Sequence, residues 1–143
     1  MTVDNEVFDT ITEYMKDRVG TLEFAKDYFD GFEYWFQIEV IAALQKGGIV
    51  TTIKDKMEFD SDIVIEIDSN RFGIELKAFK SSHSGDVIKS SFKHKRADYY
   101  LIISEKSDKI YEALEKSKKA GFYPKVNDIH DNWILIFGKN HQK

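Results

Sequence analysis

The chain has 143 residues and a mass of 16.7 kDa, the size of one domain with one buried core. It is 42% hydrophobic, contains no cysteine and has no run of about 18 apolar residues, which excludes a disulfide scaffold, a thiolate metal site and a helical membrane protein. The net charge of −4 argues against a uniformly basic nucleic-acid binder, and the acidic start MTVDNEVFD differs from a secretory or mitochondrial signal, so we expect a cytoplasmic protein without a membrane partner.

Hydrophobic residues recur at three- and four-residue spacing in the first part of the chain, which is typical of amphipathic helices. The pattern predicts a first helix and then a short second helix that Thr21 caps and that ends near Gly31. A third helix is predicted over residues 32–46, and the Gly47-Gly48 pair ends it. The residues with helical spacing in the first helix are Phe8, Ile11, Met15 and Val19.

The hydrophobic period changes to two after the third helix, which indicates strands. Three strands are predicted over residues 48–54, 62–68 and 71–79, and the last two form a hairpin around Ser69-Asn70. The elements predicted after them are a basic helix near residues 86–95, a strand at 98–104, a helix at 107–121 with Gly121 as its C-cap, and a strand at 132–138. This order predicts an α/β domain with a mixed sheet that is antiparallel in its first section.

The hairpin has one apolar face and one charged face. A two-residue loop at Ser69-Asn70 pairs Asp68 with Arg71, and the alternation of side chains then separates the two faces. The apolar face holds Ile63, Ile65, Ile67, Phe72, Ile74 and Leu76. The charged face holds Asp62, Glu66, Glu75 and Lys77.

Two carboxylates of the charged face lie close enough to share a cation. The predicted register sets Asp62 opposite Lys77 and one diagonal step, about 7–8 Å between backbones, from Glu75. A solvated, salt-bridged sheet surface is the alternative interpretation. A sheet flanked by helices is covered on both faces, however, so these charges would need compensation, and a divalent cation supplies it.

Glu39 is the predicted third carboxylate. It lies among apolar residues of the third helix, and Ala42 and Ala43 leave room beside it. A position at the rim of an apolar helix face is the alternative. Since one strand separates the helix from the hairpin, we expect the helix to pack on the sheet and to aim Glu39 at Asp62 and Glu75.

This pattern resembles the PD-(D/E)xK nuclease superfamily, which includes restriction endonucleases, junction resolvases and repair nucleases. A helix with Glu39 is followed by a strand that opens with Ser61-Asp62 and by a strand with Glu75-Leu76-Lys77, the one D/E-x-K tripeptide of the chain. The resemblance covers about residues 32–104. It departs from the family at Ser61, where proline is frequent, and Asp60 is an alternative to Asp62 in a shifted register.

The resemblance implies a single domain over residues 1–143, with a restriction-endonuclease-like core of α-β-β-β-α-β order at 32–138 and a helical extension at 1–31. It implies hydrolysis of phosphodiester bonds with Mg²⁺ or Mn²⁺, in DNA because most members act on DNA. Asp62 and Glu75 would bind the metal, Glu39 would contribute directly or through a water, and Lys77 would position or help to deprotonate the attacking water. The implied catalytic residues are Glu39, Asp62, Glu75 and Lys77.

A basic segment follows the proposed metal-binding strand. Residues 1–40 carry 3 basic and 10 acidic side chains, whereas residues 71–143 carry 15 and 9, so a local basic surface is compatible with the acidic total. We expect phosphates to pass this segment on their way to the metal, and a solvated helix face is the alternative. The residues predicted to bind nucleic acid are Lys80, Ser82, Lys89, Lys93, Lys95 and Arg96.

Two other functions stay open from the sequence. A catalytically silent module with the same fold would bind nucleic acid or a protein partner and keep the hairpin charges as ion pairs. A carboxylate-pair hydrolase such as a glycosidase is disfavoured by the lysine between the acids and by the small size of the chain. One active site cuts one strand, so cleavage of both strands of a duplex would require a homodimer.

Overall fold

The structure is a computed structural model that describes residues 3–28, 32–53, 62–79, 97–119, 121 and 123–139. The described helices are α1 (Val3–Lys16), α2 (Val19–Tyr28), α3 (Phe32–Lys46) and α4 (Asp108–Lys119). The described strands are β1 (Val50–Ile53), β2 (Ile63–Ile67), β3 (Asn70–Phe79), β4 (Tyr99–Glu105), β5 (Lys125–His130) and β6 (Trp133–Lys139). None of these four helices is long and apolar enough to cross a lipid bilayer.

The strands form one mixed sheet of six strands in the order β1-β2-β3-β4-β6-β5. Strands β1, β2 and β3 pair antiparallel, β3 and β4 pair parallel, and β4, β6 and β5 pair antiparallel. The predicted α/β class and the antiparallel first section are confirmed. Strand β5 was not predicted, because it is a polar edge strand in which only Ile129 is buried, so it lacks an apolar pattern.

Helices α1, α2 and α3 cover one face of the sheet. They share a core with β2, β3, β4 and β6, so the N-terminal helices bury the same apolar cluster as the strands. The largest buried side chains of this core are Phe8, Met15, Phe36, Trp133 and Phe137. Thr21 does not cap α2 as predicted, because the helix already begins at Val19.

Helix α4 covers part of the other face, where Ile110 and Leu114 pack on Ile102 of β4 and Ile136 of β6. The predicted basic helix near residues 86–95 lies outside the described residues.

Two helices end at the predicted glycines. Gly48 has φ of 79° and donates its N–H to the carbonyl of Gln45, while Ile49 donates to Leu44, which is the hydrogen-bond pattern of a Schellman cap. Gly121 has φ of 92° and donates to the carbonyl of Lys118. Because this conformation strains residues with a Cβ atom, glycine ends both helices at low cost.

The hairpin register differs from the prediction by two residues. The loop is Asp68-Ser69, both with positive φ as a type I′ turn requires, and Ile63 therefore pairs with Ile74 instead of Leu76. A shift of two residues leaves every side chain on its predicted face. Continued by one residue, the register sets Asp62 opposite Glu75 and not opposite Lys77.

Gly138 gives a test of the packing between β4 and β6. A Cβ atom at this position would lie 2.6 Å from Oη of the buried Tyr100, whereas a Cβ atom at Gly20 of α2 would meet nothing within 4 Å. We expect Gly138→Ala to lower the free energy of unfolding by about 1–3 kcal/mol, because the tyrosine ring must move. The control Gly20→Ala should be neutral or stabilising by up to about 1 kcal/mol. Urea unfolding measures both, and equal effects of the two substitutions would contradict the packing.

Candidate active site

Strand β3 extends beyond the strand that pairs with it. Strand β2 pairs with residues 70–74 of β3, but β3 continues to Phe79. The carbonyl of Ile74 accepts a hydrogen bond from the N–H of Asp62, so the backbone of Ile74 points toward β2. Because backbone direction alternates along a strand, the N–H groups of Leu76 and Ala78 point to the same side, beyond the end of β2. These two donors need partners from outside the ladder.

Two carboxylates accept hydrogen bonds from the N–H groups of Leu76 and Ala78. Oδ2 of Asp62 accepts a hydrogen bond from the N–H of Leu76 at 2.8 Å. The carboxylate of Glu33, at the start of α3, accepts one from the N–H of Ala78. Hydrogen bonds from backbone N–H groups to carboxylates are stronger than those between neutral groups, so the end of β3 fixes two acidic groups along one edge.

Asp62 is held by three hydrogen bonds. Its N–H donates to the carbonyl of Ile74 at 3.2 Å, and its own carbonyl accepts from Nε2 of Gln37 at 3.0 Å. Its side chain binds Leu76 through Oδ2, so Oδ1 is the oxygen that can turn to a ligand. The carboxylate is therefore positioned before any ligand arrives, which is what a binding site requires of its first contacts.

Glu75 and Lys77 complete the cluster from β3. Glu75 is buried, and the ammonium of Lys77 lies 4.0 Å from its Oε1 and 3.7 Å from Oε1 of Glu33. Both distances exceed hydrogen-bond length, so Lys77 acts as a charge partner between two carboxylates. We refer to Glu33, Asp62, Glu75 and Lys77 as the β3-edge cluster.

Burial and the neighbouring charges of the β3-edge cluster act on the carboxyl of Glu33. Burial raises the pKa of Glu33, and the neighbouring carboxylate of Asp62 raises it further, whereas Lys77 and the hydrogen bond from Ala78 oppose the increase. The net effect is a raised pKa, so one ammonium and one backbone donor do not offset the cost of this negative charge. Carboxylate oxygens are the ligands that Mg²⁺ and Mn²⁺ prefer. In the described part of the chain, however, no three acidic or histidine side chains form a preassembled metal-binding group.

The structure places Glu39 in a different cluster. Nε of Arg18 lies 2.7 Å from Oε2 of Glu39 and Nη2 lies 3.1 Å from Oε1, so the guanidinium binds both carboxylate oxygens. The hydrogen bonds that Arg18 donates to Glu39 also raise the pKa of Arg18. Glu39 is thus neutralised by a cation of the chain itself, and its role as a metal ligand stays a prediction.

Helix geometry explains why Glu33 and not Glu39 reaches the cluster. Six residues separate them, which amounts to about 9 Å along α3 and about 240° around it. Glu33 and Gln37 are four residues apart and share the face that contacts Ala78 and Asp62. Sequence reasoning missed both residues. The available signal was this polar i,i+4 pair at the start of an aromatic-rich helix.

The remaining predicted site residues lie outside the described part of the chain. They are the alternative ligand Asp60, then Ser61, which stands where the family frequently has proline, and the residues predicted to bind nucleic acid, Lys80, Ser82, Lys89, Lys93, Lys95 and Arg96.

Comparison with protein-family models, with characterised proteins and with solved structures finds no match to the chain.

Glu33 and Glu39 form a matched pair for testing which of the two acids contributes to metal binding at the β3-edge cluster. We expect Glu33→Gln to weaken Mn²⁺ binding at least about tenfold, because a carboxylate of the cluster loses its charge. Glu39→Gln should leave Mn²⁺ affinity within about twofold and lower the free energy of unfolding by about 1–2 kcal/mol, because Arg18 loses its ion pair. Titration calorimetry and urea unfolding measure the two effects. If Glu39→Gln weakened Mn²⁺ binding and Glu33→Gln did not, Glu39 would be the metal ligand.

The raised pKa of Glu33 also predicts a pH dependence in metal-free buffer. A carboxyl whose pKa is higher in the folded state contributes its full stability below the ordinary value of 4.5 and loses it as the pH rises through the folded-state pKa. Glu33→Gln removes this loss, so the difference in Tm, variant minus wild type, should increase from about pH 4 to about pH 7. Thermal melts in EDTA give the difference, and a value independent of pH would contradict the assigned electrostatics.

Proposed function

We propose that the protein is a metal-dependent nuclease that hydrolyses phosphodiester bonds, with DNA as the expected substrate. The observation that carries the proposal is the β3-edge cluster, in which Lys77 lies 3.7 Å from Glu33 and 4.0 Å from Glu75, and Asp62 accepts the N–H of Leu76 where β3 extends past the described part of β2. Carboxylates gathered at a partly buried site are common where a protein binds a catalytic cation.

The donor set suits Mg²⁺ or Mn²⁺. Asp62 would hold the ion from the residue before β2 and Glu75 from the middle of β3, and Glu33 would add a third carboxylate in the place that the sequence suggested for Glu39. When bound, the ion lowers the pKa of a water molecule and offsets the negative charge that develops on the scissile phosphate. Gln37 acts through the carbonyl of Asp62 and is a positioning residue.

Lys77 has the geometry for the remaining role. Its ammonium lies between Glu33 and Glu75 and its side chain is 25% exposed, so it can contact solvent and the cluster together. An ammonium has three donors, which lets it orient the attacking water and stabilise a developing oxyanion. Neither role requires Lys77 to be a strong base.

The element order supports a restriction-endonuclease-like arrangement. Helix α3 precedes three antiparallel strands, and the fourth strand, β4, pairs parallel to β3. A parallel connection requires a crossover between the two strands, which residues 80–96 provide. These described elements agree with the α-β-β-β-α-β order that the resemblance implies, whose second helix, expected near residues 86–95, lies outside the described residues.

The alternative is a catalytically silent module of the same fold. The ion pairs of Lys77 with Glu33 and Glu75 favour it, because they would partly balance the cluster without a cation. Such a module would bind nucleic acid or a protein partner and would not hydrolyse it.

Asp62→Asn separates catalysis from folding. The asparagine oxygen can still accept the hydrogen bond from Leu76, so the strand end is preserved while the charge is lost. We expect cleavage in Mg²⁺ or Mn²⁺ to fall roughly 100-fold or more, and Lys77→Ala to have a similar effect. The assay compares supercoiled, linear, branched and single-stranded DNA with RNA, in the presence of metal or EDTA. Cleavage that survives both substitutions would assign the activity to another site, and no cleavage of any substrate would favour the silent module.

The basic segment 80–96 is tested by salt dependence. Each phosphate contact adds about 0.9 to the slope of log K against log salt on duplex DNA, so Lys89→Glu with Lys93→Glu should reduce that slope by about 2. The matched control exchanges two exposed lysines of α4, Lys116 and Lys119, for glutamate. Binding in Ca²⁺ between 50 and 200 mM salt gives the slopes. Equal slopes for the two double variants would remove segment 80–96 from the binding surface.

A further inference from the structure

Lys77 is held in the β3-edge cluster by charge alone. Its ammonium lies 3.7 Å from Oε1 of Glu33 and 4.0 Å from Oε1 of Glu75, and both distances exceed the upper length of an N–H···O hydrogen bond, about 3.2 Å. The side chain is 25% exposed, so it has access to solvent. The ammonium can therefore leave both carboxylates by rotation of its flexible side chain, without breaking a hydrogen bond to either of them.

Other carboxylates of the fold are bonded more tightly to a cation of the chain. Arg18 donates hydrogen bonds of 2.7 and 3.1 Å to Glu39, and the ammonium of Lys26 lies 3.2 Å from Glu105. A cation from solution would have to break these hydrogen bonds to reach the carboxylates. The longer contacts of Lys77 set a lower barrier to such an exchange.

A metal ion and Lys77 would compete for the same oxygens. An ion about 2.1 Å from Oε1 of Glu33 or of Glu75 would lie within about 6 Å of Nζ of Lys77 in its present position. This separation is shorter than the Debye length of about 8 Å at physiological ionic strength, so salt screens the repulsion between the two cations only in part. Binding of the ion therefore favours a conformation in which the ammonium has moved away.

We propose that Lys77 is an internal competitor for the divalent cation, and that its ammonium leaves Glu33 and Glu75 when the cluster binds the ion. The proposal rests on the proposed nuclease function and describes how the affinity of that site for its metal is regulated. Asp62 keeps its position during the exchange, because its Oδ2 is bonded to the N–H of Leu76. The ammonium released from the two glutamates is the group to which we assign the orientation of the attacking water.

Titration calorimetry with Mn²⁺ tests the exchange without reference to activity. We expect Lys77→Met and Lys77→Gln to bind Mn²⁺ at least about fivefold more tightly than the wild type, because the glutamates lose a competing charge. Lys77→Arg keeps the charge and should bind no more tightly than the wild type. The matched control Lys119→Met removes an exposed lysine of α4 and should change the affinity by less than about twofold. Asp62→Asn added to Lys77→Met should remove the gain, which locates the ion at the cluster.

Unchanged or weaker Mn²⁺ binding by the neutral Lys77 variants would overturn the exchange. Equal tightening in Lys119→Met would also overturn it, since the effect would then reflect the net charge of the protein. Failure of the nuclease proposal looks different. In that case Lys77→Met would bind Mn²⁺ more tightly as expected, but the wild type would cleave no substrate. Cleavage by the wild type without tighter binding in either neutral variant would keep the nuclease and reject the exchange.

Discussion

The end of strand β3 is the constraint on which the candidate site depends. Among the described residues, β2 pairs with β3 only as far as Ile74, and beyond this point the N–H of Leu76 bonds to the side chain of Asp62 instead of to a ladder partner. An unpaired backbone donor is costly when it is buried, so the chain must bring acceptors to this edge. It brings carboxylates, from Asp62 before β2 and from Glu33 on α3, and so it concentrates negative charge at one point of the fold. The carboxylates that accept hydrogen bonds from the N–H groups of β3 are therefore the same groups that form the acidic candidate site.

Helix α3 carries two acids with different electrostatic outcomes. The guanidinium of Arg18 donates hydrogen bonds to both carboxylate oxygens of Glu39. This ion pair neutralises Glu39 and contributes to packing between the N-terminal helices. Burial raises the pKa of Glu33 and the carboxylate of Asp62 raises it further, while Lys77, 3.7 Å away, opposes the increase, so this cluster can gain from a further cation. Ionised Glu33 therefore costs stability in the absence of a ligand. Such a cost is common at functional sites, where a group is kept for binding and not for folding.

The sequence predicted the α/β class and placed Asp62, Glu75 and Lys77 on one face of the hairpin, and the differences from the structure have physical causes. The faces of the hairpin were correct because side chains alternate, even though the register was wrong by two residues. That error arose because Asp68-Ser69 takes the positive φ angles of the turn in place of Ser69-Asn70. Glu39 seemed the better third acid because it interrupts an apolar helix face, but an interruption of this kind also suits a partner such as Arg18. Whether Glu33 or Glu39 faces β3 depends on how α3 is rotated against the sheet, and hydrophobic spacing does not determine that rotation to one residue.

Crystals of the protein grown with Mn²⁺ show whether the β3-edge cluster binds a metal, because anomalous scattering locates this ion without reference to activity. If the cluster is a metal site, we expect one strong anomalous peak beside β3, about 2.1–2.2 Å from oxygens of Asp62 and Glu75 and bonded to Glu33 directly or through a water. An anomalous map with no peak there, with Lys77 still between Glu33 and Glu75, would show that the cluster is an internal ion-pair network and would contradict the metal-dependent mechanism.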